Sequence, residues 1–253
     1  MTAIAQPRLQ SLLAYLSLNR DAPLSRNQVA YRFWPEKSES AAHNNLRGAL
    51  HKLRRLLPHA DALLKITPNT IEWHEGVRLE VDVEQFTAAM ARVSGAQDST
   101  RQSAPAIADL EHAVDLYGGP LIPNCYDDWV IEMREELHAE YVDALTWLTV
   151  ELEGIQNYRR AIGSARRLLQ LEPWSELTYR TLMRLLALTG QRDAALRLYA
   201  QCVEVLENEL AVAPAEETIA LYQRLLAGDE VLDNVASLEA QDRKSTRLNS
   251  SHR

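Results

Sequence analysis

A repeat with a period of 34 residues is the feature that most limits what this chain can fold into. The matching positions, all apolar or small, are Leu148 and Leu182, Leu152 and Leu186, Ala161 and Ala195, Ile162 and Leu196, and Leu169 and Val203. Five matches at one offset argue against chance periodicity. A unit of this length cannot bury its apolar face alone, so neighbouring units must stack around a shared core. The pattern predicts stacked pairs of helices.

The length of the repeat also indicates which kind of helix pair is present. Thirty-four residues is the period of tetratricopeptide helix hairpins, in which small residues let two helices approach closely. Gly190 marks a turn between helices, and Pro173 and Pro214 each follow the second helix of a unit. Earlier helices are predicted to begin at Asp82 and at Pro105, and a long helix is predicted to be capped by Asp127 or Asp128. We expect a tetratricopeptide-like, all-α repeat domain over residues 77–227.

Charge is distributed unevenly along the chain. Residues 1–75 contain ten Lys or Arg and six Asp or Glu, a balance of +4. Residues 76–241 balance at −15 and the last twelve residues at +3, which gives −8 overall. This asymmetry is typical of a chain in which one part faces phosphate and another part does not. Acidic helix faces are also often simply exposed to solvent, so the charge distribution alone is weak support for a nucleic-acid partner.

Composition and motifs exclude several classes of protein. The longest stretch without a charged residue is 11 residues, too short to cross a bilayer, and the first residues do not form a secretion signal. Cys125 and Cys202 match no metal spacing and are expected to be reduced, buried thiols. We find no phosphate-binding glycine loop and no nucleophile motif. We therefore predict a cytoplasmic non-enzyme with no catalytic residues, cofactor, metal or membrane partner.

The first third of the chain predicts three helices, of which the first two are short. Pro7 begins the first helix. Ser25 begins the second with a capping box to Gln28. Trp34-Pro35 ends the second helix, because the residue before a proline is pushed out of the helical region.

The third predicted helix separates apolar from polar residues. It is capped by Ser38 or Ser40 and runs to Leu57, before Pro58. Its apolar stripe is Leu46, Leu50, Leu53 and Leu57. Its polar candidates, grouped around Gly48, are Asn44, Asn45, Arg47, His51, Lys52 and Arg55. Arginine and lysine reach phosphates or guanine edges, and asparagine can bond adenine. An amphipathic helix with a solvated basic face explains this helix equally well.

Two short β-prone runs follow the third helix. They are Leu64–Ile66 and Thr70–Trp73, on either side of a turn. A hairpin directly after a basic helix is the arrangement of a wing, which would place Lys65, Asn69 and Thr70 near a DNA backbone or minor groove. An isolated surface hairpin is the alternative, and it would be marginal unless packed. We predict a winged helix-turn-helix DNA-binding domain over residues 1–76.

The segment FWPEKSESAAHNNLRGALHKLRRLLP resembles the second and third helices of SARP-type bacterial regulators, whose winged helix-turn-helix is like that of response regulators. The resemblance rests on Trp34-Pro35, Asn44-Asn45-Leu46-Arg47, Leu50 and Leu53-Arg54-Arg55. It implies that the third helix enters the major groove. The family usually has a short antiparallel sheet before the first helix, and the expected domain lacks that sheet.

The segment LYGGPLIPNCYDDWVIEMREEL, with the repeats after it, resembles the bacterial transcriptional activator domain. In SARP-type proteins that domain directly follows the winged helix. The two resemblances together cover roughly Pro7 to Leu226. They imply a transcription activator that binds double-stranded DNA at repeated sites, contacts RNA polymerase, and forms a homodimer on DNA.

The last residues of the chain show no pattern typical of a helix or a strand. Residues 228–241 are expected to form a linker. The letters DRKSTRLNSSH, which follow, correspond codon for codon to the translation of a sequencing-adapter read. Residues 242–253 are therefore expected to be an artefact, with the natural gene continuing downstream.

A protein-interaction scaffold is the main alternative to a DNA-binding regulator. In that interpretation the helical repeats bind a peptide or protein and the first third binds no DNA. Salt-dependent binding to duplex DNA separates the two, because phosphate contacts release counterions and a peptide groove has no such steep dependence.

Overall fold

The computed structural model describes residues 6–95 and 104–228, which are mostly helical. The α-helices are Pro7–Leu18 (α1), Arg26–Phe33 (α2), Glu39–Leu56 (α3), Ala60–Leu63 (α4), Asp82–Ser94 (α5), Ala104–Leu116 (α6), Asp128–Gly154 (α7), Tyr158–Leu171 (α8), Glu176–Leu188 (α9), Arg192–Val205 (α10) and Glu216–Ala227 (α11). The strands are Leu24–Ser25 (β1), Leu64–Ile66 (β2) and Thr70–Trp73 (β3). The predicted fold class, a winged helix-turn-helix followed by tetratricopeptide-like helices, is confirmed.

Backbone contacts divide the chain into two compact units, Met1–Trp147 and Leu148–Arg253. The first unit therefore extends well beyond residue 76, where the sequence predicts the end of the DNA-binding domain. It joins the winged helix-turn-helix to α5, α6 and most of α7.

The leucine stripe of α3 faces the core of the first unit, as predicted. Leu46, Leu50 and Leu53 are 0, 3 and 0% exposed, in one cluster with Leu12 of α1 and Phe33 of α2. Their spacing of three and four residues puts them on one side of a helix, where they lose contact with water together. Leu57 lies just beyond the end of α3 and is only half-buried.

The three strands form one antiparallel sheet in the order β1-β3-β2. Leu24 pairs with Ile71, and Leu64 pairs with Trp73. The hairpin of β2 and β3 is the predicted wing. Strand β1 was not predicted, because two residues are too few to show an alternating pattern. It anchors the wing on the helical core, where Ile71 is 1% exposed.

The predicted capping box of α2 is wrong. Ser25 stands at the N-cap position, but within the described residues its side chain makes no capping bond. The reason is that Ser25 belongs to β1 and pairs with Thr70. The first backbone N–H of α2, that of Arg26, instead donates to the carbonyl oxygen of Asn69 at 2.9 Å. The start of α2 is therefore bound to the wing.

The beginning of α7 completes the core of the winged helix-turn-helix. Trp129 and Val130, 6% and 0% exposed, belong to the same apolar cluster as α1, α2 and α3. Asp127, predicted as a helix cap, directs its carboxylate at α1, where it pairs with Arg8 and accepts from the Ser11 hydroxyl at 2.6 Å. The winged helix-turn-helix and the start of α7 therefore share one core.

The second unit confirms the 34-residue repeat. A shift of 34 places α8 on α10 at both ends, from Tyr158 on Arg192 to Leu171 on Val205. The same shift places Gln156 on Gly190, and both have left-handed backbones, with φ of 59° and 74°. The small residues expected between the helices, Ala161 and Ala195, are both 0% exposed.

Several smaller expectations concern the rest of the chain. None of the described helices is both long and apolar enough to span a membrane. Cys125 and Cys202 are free and buried, as predicted. In the ranges 6–95 and 104–228 no three His, Cys, Asp or Glu side chains are grouped in a way that could hold a metal ion. The linker beyond Gly228 and the adapter-like tail lie outside the described residues.

Candidate nucleic-acid interface

Helix α3 presents one polar face to solvent. All six of its predicted candidates are exposed: Asn44, Asn45, Arg47, His51, Lys52 and Arg55. The opposite face is buried, with Ala42, Leu46, Ala49, Leu50 and Leu53 in the core. Burial of the leucines thus fixes the rotation of the helix and, with it, the direction in which the polar side chains point.

Two features of the α3 face affect what can approach it. Arg47 Nη1 donates a hydrogen bond to Asn44 Oδ1 at 3.3 Å, one turn away on the exposed surface. A Cβ atom added at Gly48 would meet nothing within 4 Å, so this face is open at its centre. A flat molecular surface can therefore approach the helix along Asn44, Gly48, His51 and Arg55.

The wing places its three predicted residues in different environments. Asn69, at the tip of the turn, has an exposed side chain. Lys65 Nζ is 2.7 Å from Glu72 Oε1 across the hairpin, and this hydrogen bond raises the pKa of Lys65. The hydroxyl of Thr70 lies 2.8 Å from the hydroxyl of Thr67, inside the turn. Of the three, only Asn69 projects from the wing with no side-chain partner among the described residues.

A cleft of about 400 Å³ lies between α3 and the wing. Its lining residues are Arg26, Arg47, Leu50, His51, Arg54, Ile66, Thr67 and Pro68. Leucine and isoleucine form the apolar part, and three arginines and a histidine supply the polar part. The structure thus brings Arg47 and His51, both predicted, together with two arginines that were not predicted.

Arg26 is the more informative of the two missed arginines. Its guanidinium donates from Nη1 to the carbonyl oxygen of Thr67 at 3.0 Å. Its backbone N–H donates to the carbonyl oxygen of Asn69 at 2.9 Å. The residue is half-buried, so it both supports the wing and lines the cleft. The sequence carries no signal for this role, because it depends on the unpredicted pairing of β1 with β3.

Arg54 is the second missed residue, and it is paired with an acidic side chain. Its Nη2 contacts Asp61 Oδ1 in α4, and both side chains are exposed. A partial signal for Arg54 is its position next to Arg55 in the basic helix. Short helix α4, which positions Asp61, was not predicted.

The arrangement can contact a nucleic acid in two ways. The exposed α3 face carries amide and guanidinium groups, which can bond base edges in a major groove wide enough to admit a helix. The cleft carries guanidinium groups, which bind phosphate oxygens in bidentate geometry. The two surfaces are continuous, because Arg47 and His51 belong to both.

Comparison with known proteins gives the family. The profile of the bacterial transcriptional activator domain matches residues 81–226, more than half of the chain. The chain belongs to the bacterial transcriptional activator domain family. The matched range begins just before α5 and ends within α11, so it covers most of the helical region after the wing.

Relatives of this activator-domain protein include two named regulators. It is 25% identical over 231 residues to the transcriptional regulatory protein MoaR1 of Mycobacterium tuberculosis, covering 88% of this chain and 73% of that protein. It is 26% identical over 226 residues to the regulatory protein AfsR of Streptomyces griseus, covering 89% of this chain and 23% of that protein. The resemblance to SARP-type regulators is confirmed, and the family is one of transcriptional regulators.

One solved structure shares the fold across nearly the whole chain. It is that of Mycobacterium tuberculosis EmbR in complex with a low affinity phosphopeptide, with a TM-score of 0.67 and 21% identity. The match covers 97% of this chain and 65% of that one. At this identity the likeness shows the fold alone.

Proposed function

We propose that this activator-domain protein is a sequence-specific, DNA-binding transcriptional activator that inserts α3 into the major groove. The observation that carries the proposal is the continuous surface formed by the exposed α3 face and the arginine-lined cleft beside the wing. The buried leucine stripe on the other side of α3 holds this surface outward. Named relatives that are transcriptional regulators support the same conclusion.

The candidate residues divide into base-reading and phosphate-binding groups. Asn44 and Arg47 lie near the centre of the exposed face, where an amide and a guanidinium can make bidentate bonds to adenine and guanine. Lys52, Arg55 and Asn69 lie toward the end of α3 and the wing tip, where phosphate contacts fix the register of the helix. Each base contact would contribute about 1–3 kcal/mol of discrimination at one position.

The partners beyond DNA follow from the family. We propose that the helical region contacts RNA polymerase and a second copy of the chain, and that the protein acts on nucleoid DNA in the cytoplasm. A dimer would match the repeated DNA sites expected from the family, because protein symmetry and half-site spacing correspond.

The test is a DNA titration of the full chain at salt concentrations between roughly 50 and 200 mM, using a duplex with repeated sites. Arg55→Ala should weaken binding to all sequences and reduce the salt slope by about one unit, as expected for a phosphate contact. Arg47→Ala should instead relax the preference at one base position.

Arg159→Ala is the matched control for these variants. Arg159 is an exposed arginine in the second unit, and its substitution should leave affinity and salt slope unchanged. If Arg47→Ala and Arg55→Ala also leave both quantities unchanged, α3 does not read DNA. A complete absence of salt-dependent duplex binding by the unaltered chain would favour the protein-interaction scaffold.

A further inference from the structure

The second unit contains a groove of about 410 Å³ that the proposed DNA interface does not use. Residues of α8 and α10 form its two sides, and residues of α9 form its floor. The floor is apolar, because Leu182 and Leu186 of α9 are 2 and 3% exposed. Half-buried Leu169 of α8 and Leu198 of α10 extend this apolar surface up the two sides.

The two rims of the groove carry the same pair of side chains. Arg166 is followed four residues later by Gln170 on α8, and Arg197 is followed four residues later by Gln201 on α10. Residues four apart lie on one side of a helix, so each rim presents a guanidinium next to an amide. All four side chains are exposed. The 34-residue repeat does not explain the match, since it places Arg166 on Ala200.

The charge of the rim arginines is not neutralised. Arg166 and Arg197 have no hydrogen-bond or ion-pair partner among the described residues, and no acidic residue is among those that line the groove there. Helix α8 contains four arginines and no acidic residue. Other arginines of the unit are engaged: Arg184 pairs with Glu153 at 2.9 Å, and Arg180 donates to Thr218 at 3.0 Å.

This combination of groups specifies the chemistry of a partner. Guanidinium groups bind carboxylates in bidentate geometry, and glutamine amides can donate to or accept from a neighbouring carboxylate or peptide group. A leucine floor is covered best by apolar side chains, because their contact removes both surfaces from water. The backbone of a DNA duplex would supply anions for the rims but no apolar side chains for the floor. An amphipathic helix with acidic flanks supplies both, which is a helix-in-groove mode of recognition.

We propose that the groove between α8 and α10 binds an acidic amphipathic helix of a partner protein. The apolar face of that helix lies on the leucine floor, and its carboxylates pair with Arg166 and Arg197 on the two rims. The inference goes beyond the proposed DNA-binding function and does not depend on whether α3 reads DNA.

The test is a fluorescence anisotropy titration of the full chain with a labelled synthetic peptide. The peptide has about 16 residues, a length at which a helix can form, with leucines at every third or fourth position and glutamates on both flanks. We expect saturable binding. The double variant Arg166→Glu/Arg197→Glu should weaken it about tenfold or more, because two attractive charge pairs become repulsive.

A matched double variant controls for net charge. Arg78→Glu/Arg159→Glu changes the charge equally at two exposed arginines that do not line the groove, and it should preserve binding. Circular dichroism spectra and Tm values like those of the natural sequence should show that both variants are folded. A second peptide, with lysine in place of every glutamate, should bind the groove variant more tightly than the natural sequence.

Four outcomes would overturn the proposal. The acidic peptide fails to bind, or the two double variants weaken its binding equally. A third peptide, with glutamine in place of glutamate, binds as tightly as the acidic one. Sedimentation velocity shows self-association that only the groove variant abolishes, which would assign the groove to a second copy of the chain. Duplex DNA binding is weakened by the groove variant and not by the control, which would assign the groove to nucleic acid.

Discussion

The indole Nε1 of Trp129 donates a hydrogen bond to Ser11 Oγ at 3.2 Å, although the two residues are 118 positions apart. The Ser11 hydroxyl in turn donates to Asp127 at 2.6 Å. The Trp129 ring also meets Tyr15 edge-on, with 5.3 Å between ring centroids. The start of α7 is thus built into the core of the winged helix-turn-helix.

The first prediction is that Trp129→Ala destabilises the winged helix-turn-helix, although Trp129 lies outside residues 1–76. Removing a buried tryptophan should lower the free energy of unfolding by about 3–5 kcal/mol, measured by urea denaturation of the full chain. Tyr126→Ala is the control, because Tyr126 is 80% exposed and only three residues earlier. Equal stability of the two variants would mean that α7 does not support the winged helix-turn-helix.

Local patterns explain why much of the fold could be predicted. The α3 stripe, with Leu46, Leu50 and Leu53, is visible because a helix buries every third or fourth residue. The wing is visible because β-prone runs flank the turn at Pro68 and Asn69. The 34-residue repeat is visible because equivalent positions of stacked units are buried in the same way and need residues of similar size, such as Ala161 and Ala195.

Long-range contacts explain what could not be predicted. Arg26 became part of the candidate site only because a two-residue strand pairs with the wing, and so short a strand leaves no periodic signal. Asp127 looked like a helix cap, yet its carboxylate binds Arg8 and Ser11 on a distant helix. The same pattern of residues allows both outcomes, and tertiary packing selects between them.

The second prediction concerns the leucine stripe of α3. Leu50→Ala should lower the free energy of unfolding by about 2–5 kcal/mol, because Leu50 is 3% exposed and its loss leaves a cavity. Leu56→Ala, on the same helix, removes a side chain that is 38% exposed and should cost well under half as much. Thermal or urea melts of both variants measure the difference. A melt unchanged by Leu50→Ala would show that the faces of α3 are assigned backwards.

The third prediction is a pH-dependent gain in stability from Glu140→Gln. Burial, together with Glu136 and Asp143, raises the pKa of Glu140, and its Oε2 is buried with no hydrogen-bond partner among the described residues. A raised pKa means that folding favours the protonated form, so stability is lost as the pH rises above the ordinary value of 4.5. Glutamine stays neutral and avoids this loss.

The expected result is a higher Tm for Glu140→Gln at neutral pH, with the gain disappearing near pH 4. Differential scanning calorimetry across that range measures it. Glu135→Gln, an exposed position on the same helix, should show no comparable dependence. A gain that is equal at both ends of the pH range would indicate packing rather than charge as its cause.

The last prediction rests on the proposed DNA-binding function and concerns the pair formed by Arg54 and Asp61. The carboxylate of Asp61 forms an ion pair with the guanidinium of Arg54, which lines the cleft. In the proposed complex this carboxylate would compete with a DNA phosphate for the same guanidinium. Asp61→Asn should therefore raise DNA affinity roughly twofold to fivefold at low salt, the range expected from freeing one exposed ion pair. The salt slope should steepen by about one unit, because one more cation becomes available to a phosphate. Glu204→Gln, in the second unit, changes the net charge equally and should produce neither effect. If the two variants gain affinity to the same extent, net charge alone explains the change and Arg54 makes no phosphate contact.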